Sequence, residues 1–317
     1  MGSLAGKSVL VTGGAGFLGA ALCAALKANG CHVTATSRRA PVTGPPGVAW
    51  RSTNLEELDA TSRLLAELQP DVVYHFAGDV SAAPGAERVL TAFHSLLTST
   101  VNLLTAALRE RRPRIVLAGS LTEPDDDSPL SQTPTSPYSA AKWAASGYAR
   151  MFNQLYGLEA IVVRPFMTYG PGQKPEKLVP YVARCCLTGD APRLASGRQR
   201  SDWVYIDDVV EGMVLAATAT GLDATPIDLG SGELTSTRAV VEKIAELSGG
   251  GVAPEFGALP DRPFERERAA HLERARDLLG WRPRTSLNVG LARTVAALRE
   301  QLSQANVPGN ASGALLG

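Results

Sequence analysis

Short apolar runs alternate with helical patterns through the first half of the chain. The segments "KSVLVTG" (7–13), "CHVTATS" (31–37), "DVVYHFAG" (71–78), "RIVLAGS" (114–120) and "EAIVVRP" (159–165) have strand length and are rich in β-branched residues. Between the first two lies "GFLGAALCAALKANG" (16–30), which reads as a helix stopped by Gly30. Strands that are apolar throughout, instead of alternating, belong in a parallel sheet covered on both faces. Right-handed crossovers between them predict a doubly wound α/β fold.

After Arg164 the pattern changes. Gly and Pro punctuate "YGPGQKPEKLVP" (169–180), and later helices such as 237–248 are separated by long loops. The division predicted is residues 1–165 for the sheet domain, with part of 203–228 returning to it. Residues 166–302 then form mainly a smaller, cap-like substrate-binding region. The tail "SQANVPGNASGALLG" (303–317) is small and polar, and is expected to be disordered.

Composition narrows the function classes. Of 317 residues, 44% are apolar and 20% charged, as in a soluble globular protein. Lys plus Arg and Asp plus Glu both total 31, so no global field favours nucleic acid or a membrane surface. The N-terminus carries no basic-then-apolar leader, "MGSLAG" lacks the Ser or Thr of a myristoylation signal, and no uninterrupted apolar run is expected to span a bilayer. Cys23, Cys31, Cys185 and Cys186 have no metal-ligand spacing, so no metal site is expected and a reduced, cytoplasmic setting is the simplest reading.

The first strand runs into "TGGAGFLG" (12–19), a Gly-x-x-Gly-x-x-Gly at Gly13, Gly16 and Gly19. A glycine triplet between a strand and a helix lets backbone N–H groups approach a pyrophosphate at the helix N-terminus. This predicts a dinucleotide site and makes the sheet Rossmann-type. At the end of the second strand Ser37 stands where an acid would take the ribose 2′-hydroxyl of NAD, and Arg38 and Arg39 follow. A guanidinium pair suits a 2′-phosphate, so NADP is favoured over NAD, which stays possible. Two solvated loop arginines are the plainer explanation of the same residues.

"SPYSAAKWAASG" (136–147) places Tyr138 and Lys142 one helical turn apart, with Ser136 suited to the N-cap and Pro137 to the first turn. By spacing alone, an exposed helix with both side chains solvated is the commoner explanation of the pair. The wider pattern decides. With "VTGGAGFLG" (11–19), "VVYHFAG" (72–78), "VLAGS" (116–120), "YSAAK" (138–142), "RPFMTYGPG" (164–172), "DWVYIDDVV" (202–210), "DLGSG" (228–232) and "LLGWRPRTSL" (278–287) in order, the chain resembles the extended short-chain dehydrogenase/reductase superfamily. Within it the sequence is most similar to the NAD(P)-dependent sugar-nucleotide epimerase/dehydratase family.

The resemblance implies a catalytic triad of Ser120, Tyr138 and Lys142. Tyrosine would move the proton on the substrate oxygen, Lys142 would stabilise the phenolate and hold the nicotinamide ribose, and Ser120 would orient the same oxygen. It implies cofactor contacts at Gly13, Gly16, Phe17, Leu18, Gly19, Ser37, Arg38, Arg39, Asn54, Leu55, Phe76, Ala77, Gly78, Tyr138, Lys142 and Pro165. Substrate contacts are implied at Ser120, Met167, Arg200 and Arg262. The chain departs from the family where Met167 replaces an asparagine that holds the diphosphate, and where Ser201 precedes the Asp-Trp pair. Asp207 and Asp208 read as helix caps.

The family's dehydratases follow the catalytic position with an Asp-Glu pair. Here Leu121 and Thr122 follow Ser120, with Glu123 one place beyond, so dehydration is disfavoured. The preferred reading is NADPH-dependent reduction of a keto-sugar carried on a nucleotide diphosphate. The alternative is a sugar-nucleotide epimerase that oxidises and re-reduces one carbon. A non-catalytic dinucleotide-binding sensor is the third reading, and the intact triad argues against it. The resemblance also implies a homodimer built on 88–110 and 137–156, and no nucleic-acid or membrane partner.

Overall fold

The structure, a computed structural model, describes residues 3–38, 44–124, 133–261 and 267–305. In chain order its strands are β1 (Ser8–Thr12), β2 (His32–Ser37), β3 (Ala49–Ser52), β4 (Val72–His75), β5 (Arg114–Ala118), β6 (Ala160–Pro165), β7 (Met167–Tyr169), β8 (Arg193–Leu194), β9 (Arg200–Tyr205), β10 (Ile227–Leu229), β11 (Leu234–Ser236) and β12 (Glu255–Phe256). Seven of them form one sheet in the order β10-β6-β5-β4-β1-β2-β3, every pair parallel. The five expected runs became β1, β2, β4, β5 and β6. Strand β3, "AWRS", escaped the pattern because it lies at the sheet edge with most of its side chains out of the core.

The chain builds outward from β1 to β2 and β3, then crosses back to β4, β5 and β6 on the other side. That reversal puts a topological switch point between β1 and β4, where open α/β sheets bind ligands beyond the strand C-termini. One face of the sheet is covered by helices Phe17–Ala28 and Ile206–Ala216, through Leu22, Leu26, Val209 and Met213. The opposite face packs on Leu58–Leu68, the 86–109 helix and Pro137–Tyr156 through Leu64, Leu65, Leu103, Leu104 and Phe152.

Two expectations need correction. Ala86–Arg109 is long and apolar enough, by length and composition, to cross a membrane, although no such run was expected. Its inner residues pack on the sheet while Val89, Leu90 and Phe93 lie exposed, so it is apolar on both sides at once. The helix also contains one π-helical turn, Phe93–Thr98. At the other end of the chain, the helix Leu287–Ala305 continues through Ser303 and Gln304 where disorder was expected; the rest of the expected tail, 306–317, lies outside the described residues.

In the C-terminal region β9 joins β7 and β11 in a three-stranded sheet, and β8 pairs with β12. Asp208 does not cap its helix, whose N-cap is Tyr205. Its buried carboxylate instead accepts the N–H groups of Arg284 and Thr285 at 3.2 and 2.9 Å and the Thr285 hydroxyl at 3.2 Å. Its carbonyl accepts the Trp281 indole N–H at 2.8 Å. The residue therefore fastens the "LLGWRPRTSL" segment to the sheet domain. Asp208→Ala strands two backbone donors in a buried place and should cost about 2–4 kcal/mol. Urea unfolding of the variant should show a clearly lower midpoint; an unchanged midpoint contradicts this role.

Candidate active site

The residues expected around a dinucleotide meet in one open cleft of about 510 Å³ at the C-terminal edge of the sheet. Its floor begins at Gly13, whose φ of +70° suits glycine. A Cβ there would sit 2.7 Å from the backbone N of Ala77, so the loops after β1 and β4 can touch only because the side chain is missing. A Cβ on Gly19 would strike the Gly13 carbonyl. Gly16 is the N-cap of Phe17–Ala28 and uses no side chain to do it, so the first N–H groups of that helix are turned toward the cleft. This cradle, closed to a side chain at Gly13 and Gly19, fits a pyrophosphate.

Beneath it His75 is buried, with Nδ1 2.8 Å from the Thr12 hydroxyl and Nε2 3.1 Å from that of Thr100. Burial, helped by the charge of Lys142, pushes the imidazole down to about 3, so it stays neutral. It acts as a fixed post between β1, β4 and the 86–109 helix. Sequence reading gave it no role.

Around the cradle the cleft is lined by Gly13, Gly16, Phe17, Leu18, Gly19, Ser37, Arg38, Asn54, Leu55, Phe76, Ala77, Gly78 and Pro165, as expected. The Arg38 carbonyl accepts the Ser52 hydroxyl at 3.0 Å, which ties the end of β2 to β3. Asn54 spends its side chain locally, donating to Glu57 at 2.9 Å and accepting the Glu56 N–H at 3.2 Å. Arg39 lies outside the described residues, as does Arg262.

Ser120, Tyr138 and Lys142 also line this cleft. Ser120 follows β5, and the other two ride on Pro137–Tyr156. That helix starts as expected: Ser136 accepts the Ser139 N–H at 3.2 Å while Ser139 returns the favour at 3.1 Å, a capping box that fixes where Tyr138 points. The Ser120 hydroxyl lies 2.9 Å from the Thr122 hydroxyl and lines the cleft together with the Tyr138 phenol. Lys142 donates from Nζ to the Ala118 carbonyl at 2.6 Å.

The electrostatics differ from the expectation of a stabilised phenolate. Burial pushes the Tyr138 phenol up; the Ser120 hydrogen bond lowers it, and the charge of Glu123 raises it further. Lys142 is pushed down to about 8, chiefly by burial, with Glu123 opposing. The lysine's ammonium is turned to a main-chain carbonyl, and the tyrosine therefore keeps its proton.

The expected substrate residues do not all gather here. Along β7 it is Thr168 that lines the cleft, with Met167 exposed beside it. Arg200 is outside the cleft lining, held by Glu267 at 2.6 and 2.8 Å. The lining adds Ser95, Ser99, Leu121, Thr122, Gln173, Lys174 and Lys177, none of which was anticipated. The last three sit in a Gly/Pro-punctuated stretch where no periodicity signals direction. Glu123 is absent from the lining, so this acid is not presented to a substrate as an elimination base would be.

Comparison with known proteins agrees with this geometry. Residues 9–230 match the family model described as the NAD dependent epimerase/dehydratase family. The chain is 31% identical over 313 residues to a UDP-glucose 4-epimerase of Mycolicibacterium smegmatis, covering 92% of this chain and 98% of that protein. The Thermus thermophilus UDP-glucose 4-epimerase, solved with NAD, superposes with a TM-score of 0.81 at 29% identity, over 92% of this chain and 98% of that one. The Thermotoga maritima UDP-glucose 4-epimerase, solved with UDP-glucose, gives 0.82 at 25% identity, over 93% and 99%. A dinucleotide cradle, a Ser-Tyr-Lys constellation at its mouth and a match across most of the chain make this protein a member of the NAD-dependent epimerase/dehydratase family of extended short-chain dehydrogenase/reductases.

Proposed function

We propose that this enzyme reduces a keto group on a nucleotide-linked sugar, with NADPH as cofactor and Tyr138 as proton donor. The observation that carries the reading is the placing of Ser120, Tyr138 and Lys142 in the cleft that the glycine cradle opens, with Ser37 and Arg38 in the same lining. When bound, the dinucleotide supplies the redox chemistry, transferring a hydride between its nicotinamide and the sugar carbon. The chain's own residues do the rest. Ser120 and Tyr138 hold the carbonyl oxygen, Tyr138 gives it a proton, and Lys142 holds the ribose and steadies the phenolate left behind. Residues 1–165 serve mainly the dinucleotide and 166–302 mainly the substrate.

Ser37 and Arg38 in the cleft support NADP, because a guanidinium following a serine at the end of β2 suits a 2′-phosphate. Lys174 and Lys177, lining the same cleft, supply cations for a diphosphate where Met167 offers none. Net epimerisation is the second reading, favoured by the 31% identity to a UDP-glucose 4-epimerase. The two separate on the dinucleotide released by denaturing the purified protein. Empty protein that oxidises added NADPH with a keto-sugar nucleotide supports reduction; tightly held oxidised cofactor and no net redox replace it with epimerisation.

A homodimer is part of this proposal. Val89, Leu90 and Phe93 lie exposed on one helix and Tyr148, Leu155 and Tyr156 on the next, an apolar pair of faces suited to a second copy. Light scattering at micromolar concentration should give twice 33.3 kDa, and a particle of 33.3 kDa refutes it.

Cofactor choice is tested by binding. NADP should bind at least tenfold tighter than NAD, about 1.4 kcal/mol, and Arg38→Ala should erase most of that gap. Equal or tighter binding of NAD by the unmodified protein rejects the assignment.

Catalysis is tested at Tyr138. Tyr138→Phe should lower turnover by about 10²–10⁴-fold while leaving cofactor affinity nearly intact. Lys142→Met should cost both, yet it should stabilise the fold. The lysine titrates near 8 in the folded protein against 10.5 as a free group, so the unfolded chain holds the proton more firmly between those values. Its burial penalty is thus full below pH 8 and fades as the pH climbs to 10.5. Lys142→Met should melt higher than the parent at pH 7, with the gap closing in alkali. A lower melting temperature at pH 7 contradicts the penalty.

A further inference from the structure

Thr122 lines the cleft and has no task in this reading, yet its main chain and its side chain both reach Ser120. Its N–H donates to Ser120 Oγ at 3.2 Å, and its hydroxyl lies 2.9 Å from the same oxygen. A serine oxygen that accepts the N–H two residues on is a local turn device. Here the turn is closed further. The Glu123 N–H donates to the Ser120 carbonyl at 3.1 Å, and the Ser120 N–H donates to Glu123 Oε1 at 2.6 Å. Arg268 Nη1 donates to the Glu123 carbonyl at 3.2 Å, which ties the turn to the C-terminal region. The two hydroxyls are thus held side by side at the mouth of the cleft.

A serine hydroxyl has one proton to give and two lone pairs with which to accept. The Thr122 N–H occupies one of those accepting places on Ser120. Between the two hydroxyls the proton can run either way, with opposite consequences. If Ser120 is the donor, its only proton is spent on Thr122, and it can offer a substrate carbonyl nothing but lone pairs. If Thr122 is the donor, Ser120 is full as an acceptor, and its own proton is left for the cleft. Among the described residues the Thr122 hydroxyl has no other hydrogen-bond partner, so Ser120 is the one protein acceptor for its proton. Leu121, between them, brings no polar side-chain atom to compete. A ketone taking up hydride gathers negative charge on its oxygen, and a donor is what that oxygen requires.

Resting on the carbonyl reduction above, we propose that Thr122 is a positioning residue for Ser120: it donates its hydroxyl proton to Ser120 Oγ and so directs the serine's own proton at the substrate oxygen. With its lone pairs taken, Ser120 is also closed to the Tyr138 proton, which stays available to the substrate.

Neutron diffraction from deuterium-exchanged crystals of the unmodified, ligand-free protein reads this directly. The Thr122 hydroxyl deuteron should point at Ser120 Oγ, with the Ser120 deuteron on the cleft side. A Ser120 deuteron aimed at Thr122 Oγ1 overturns the proposal. The same arrangement is read in rate, with NADPH and the keto-sugar nucleotide UDP-4-keto-6-deoxyglucose as probe. Thr122→Val keeps the shape and the N–H and loses only the hydroxyl. It should lower kcat about tenfold with KM held within about twofold, and Thr122→Ser should restore most of the rate. Parent-like kcat in Thr122→Val overturns the proposal. A raised KM with kcat kept also overturns it, by making Thr122 a substrate contact. So does a Thr122→Ser protein as slow as Thr122→Val, since the methyl and not the hydroxyl would then matter. A parent protein that does not turn over the probe counts against the reduction alone; the deuteron positions, read without substrate, then decide the role of Thr122.

Discussion

Parallel pairing governs where the chemistry can sit. Because every strand of the large sheet runs the same way, each one delivers its next residues to a single edge. Gly13 follows β1, Arg38 follows β2, Phe76 to Gly78 follow β4 and Gly119 and Ser120 follow β5. An antiparallel sheet would send alternate loops to opposite ends and scatter them. The reversal of strand order at β1 and β4 then opens the space these loops share, and glycine at position 13 lets two of them close up beneath it.

Charge is the second constraint. Putting Lys142, Arg164, Arg268, Glu123 and Asp228 out of water is costly, and such clusters seldom stabilise a fold relative to apolar packing. Arg164 and Asp228 are paired at 2.7 Å, and removal of either would leave the other buried and unmatched. The arrangement joins β5, β6, β10 and the segment before Glu273–Leu279 at the same edge as the triad. What the fold gains is a set of ties between the turn that carries Ser120 and the C-terminal segment.

The sheet was legible because buried parallel strands carry their own signature, runs apolar on both sides. The glycine cradle was legible for a related reason, since close backbone contact leaves only one residue type. Strand β3 was not, because an edge strand needs no such run, and Arg200 was not, because its partner Glu267 is distant in sequence. Side-chain direction was the weakest inference: strand alternation turns Thr168 to the cleft where Met167 was expected. Glu123 shows the same limit. Its position one place past the dehydratase pair was visible, but its burial behind the serine depends on how the 119–123 turn folds.

The π-helical turn at Phe93–Thr98 is one residue longer than an α-helical path through the same stretch. In an α-helix each residue turns the next by about 100°, so a surplus residue rotates everything before it relative to everything after. Downstream, Leu103 and Leu104 are locked into the core, and Ser99, like Ser95 within the turn, is set against the cleft. Upstream, that rotation decides which side chains, Val89 and Leu90 among them, are shown to the outside. Gain or loss of a single residue in this helix would therefore turn its outer half, Val89, Leu90 and the buried Ala92 together, relative to the half packed on the sheet.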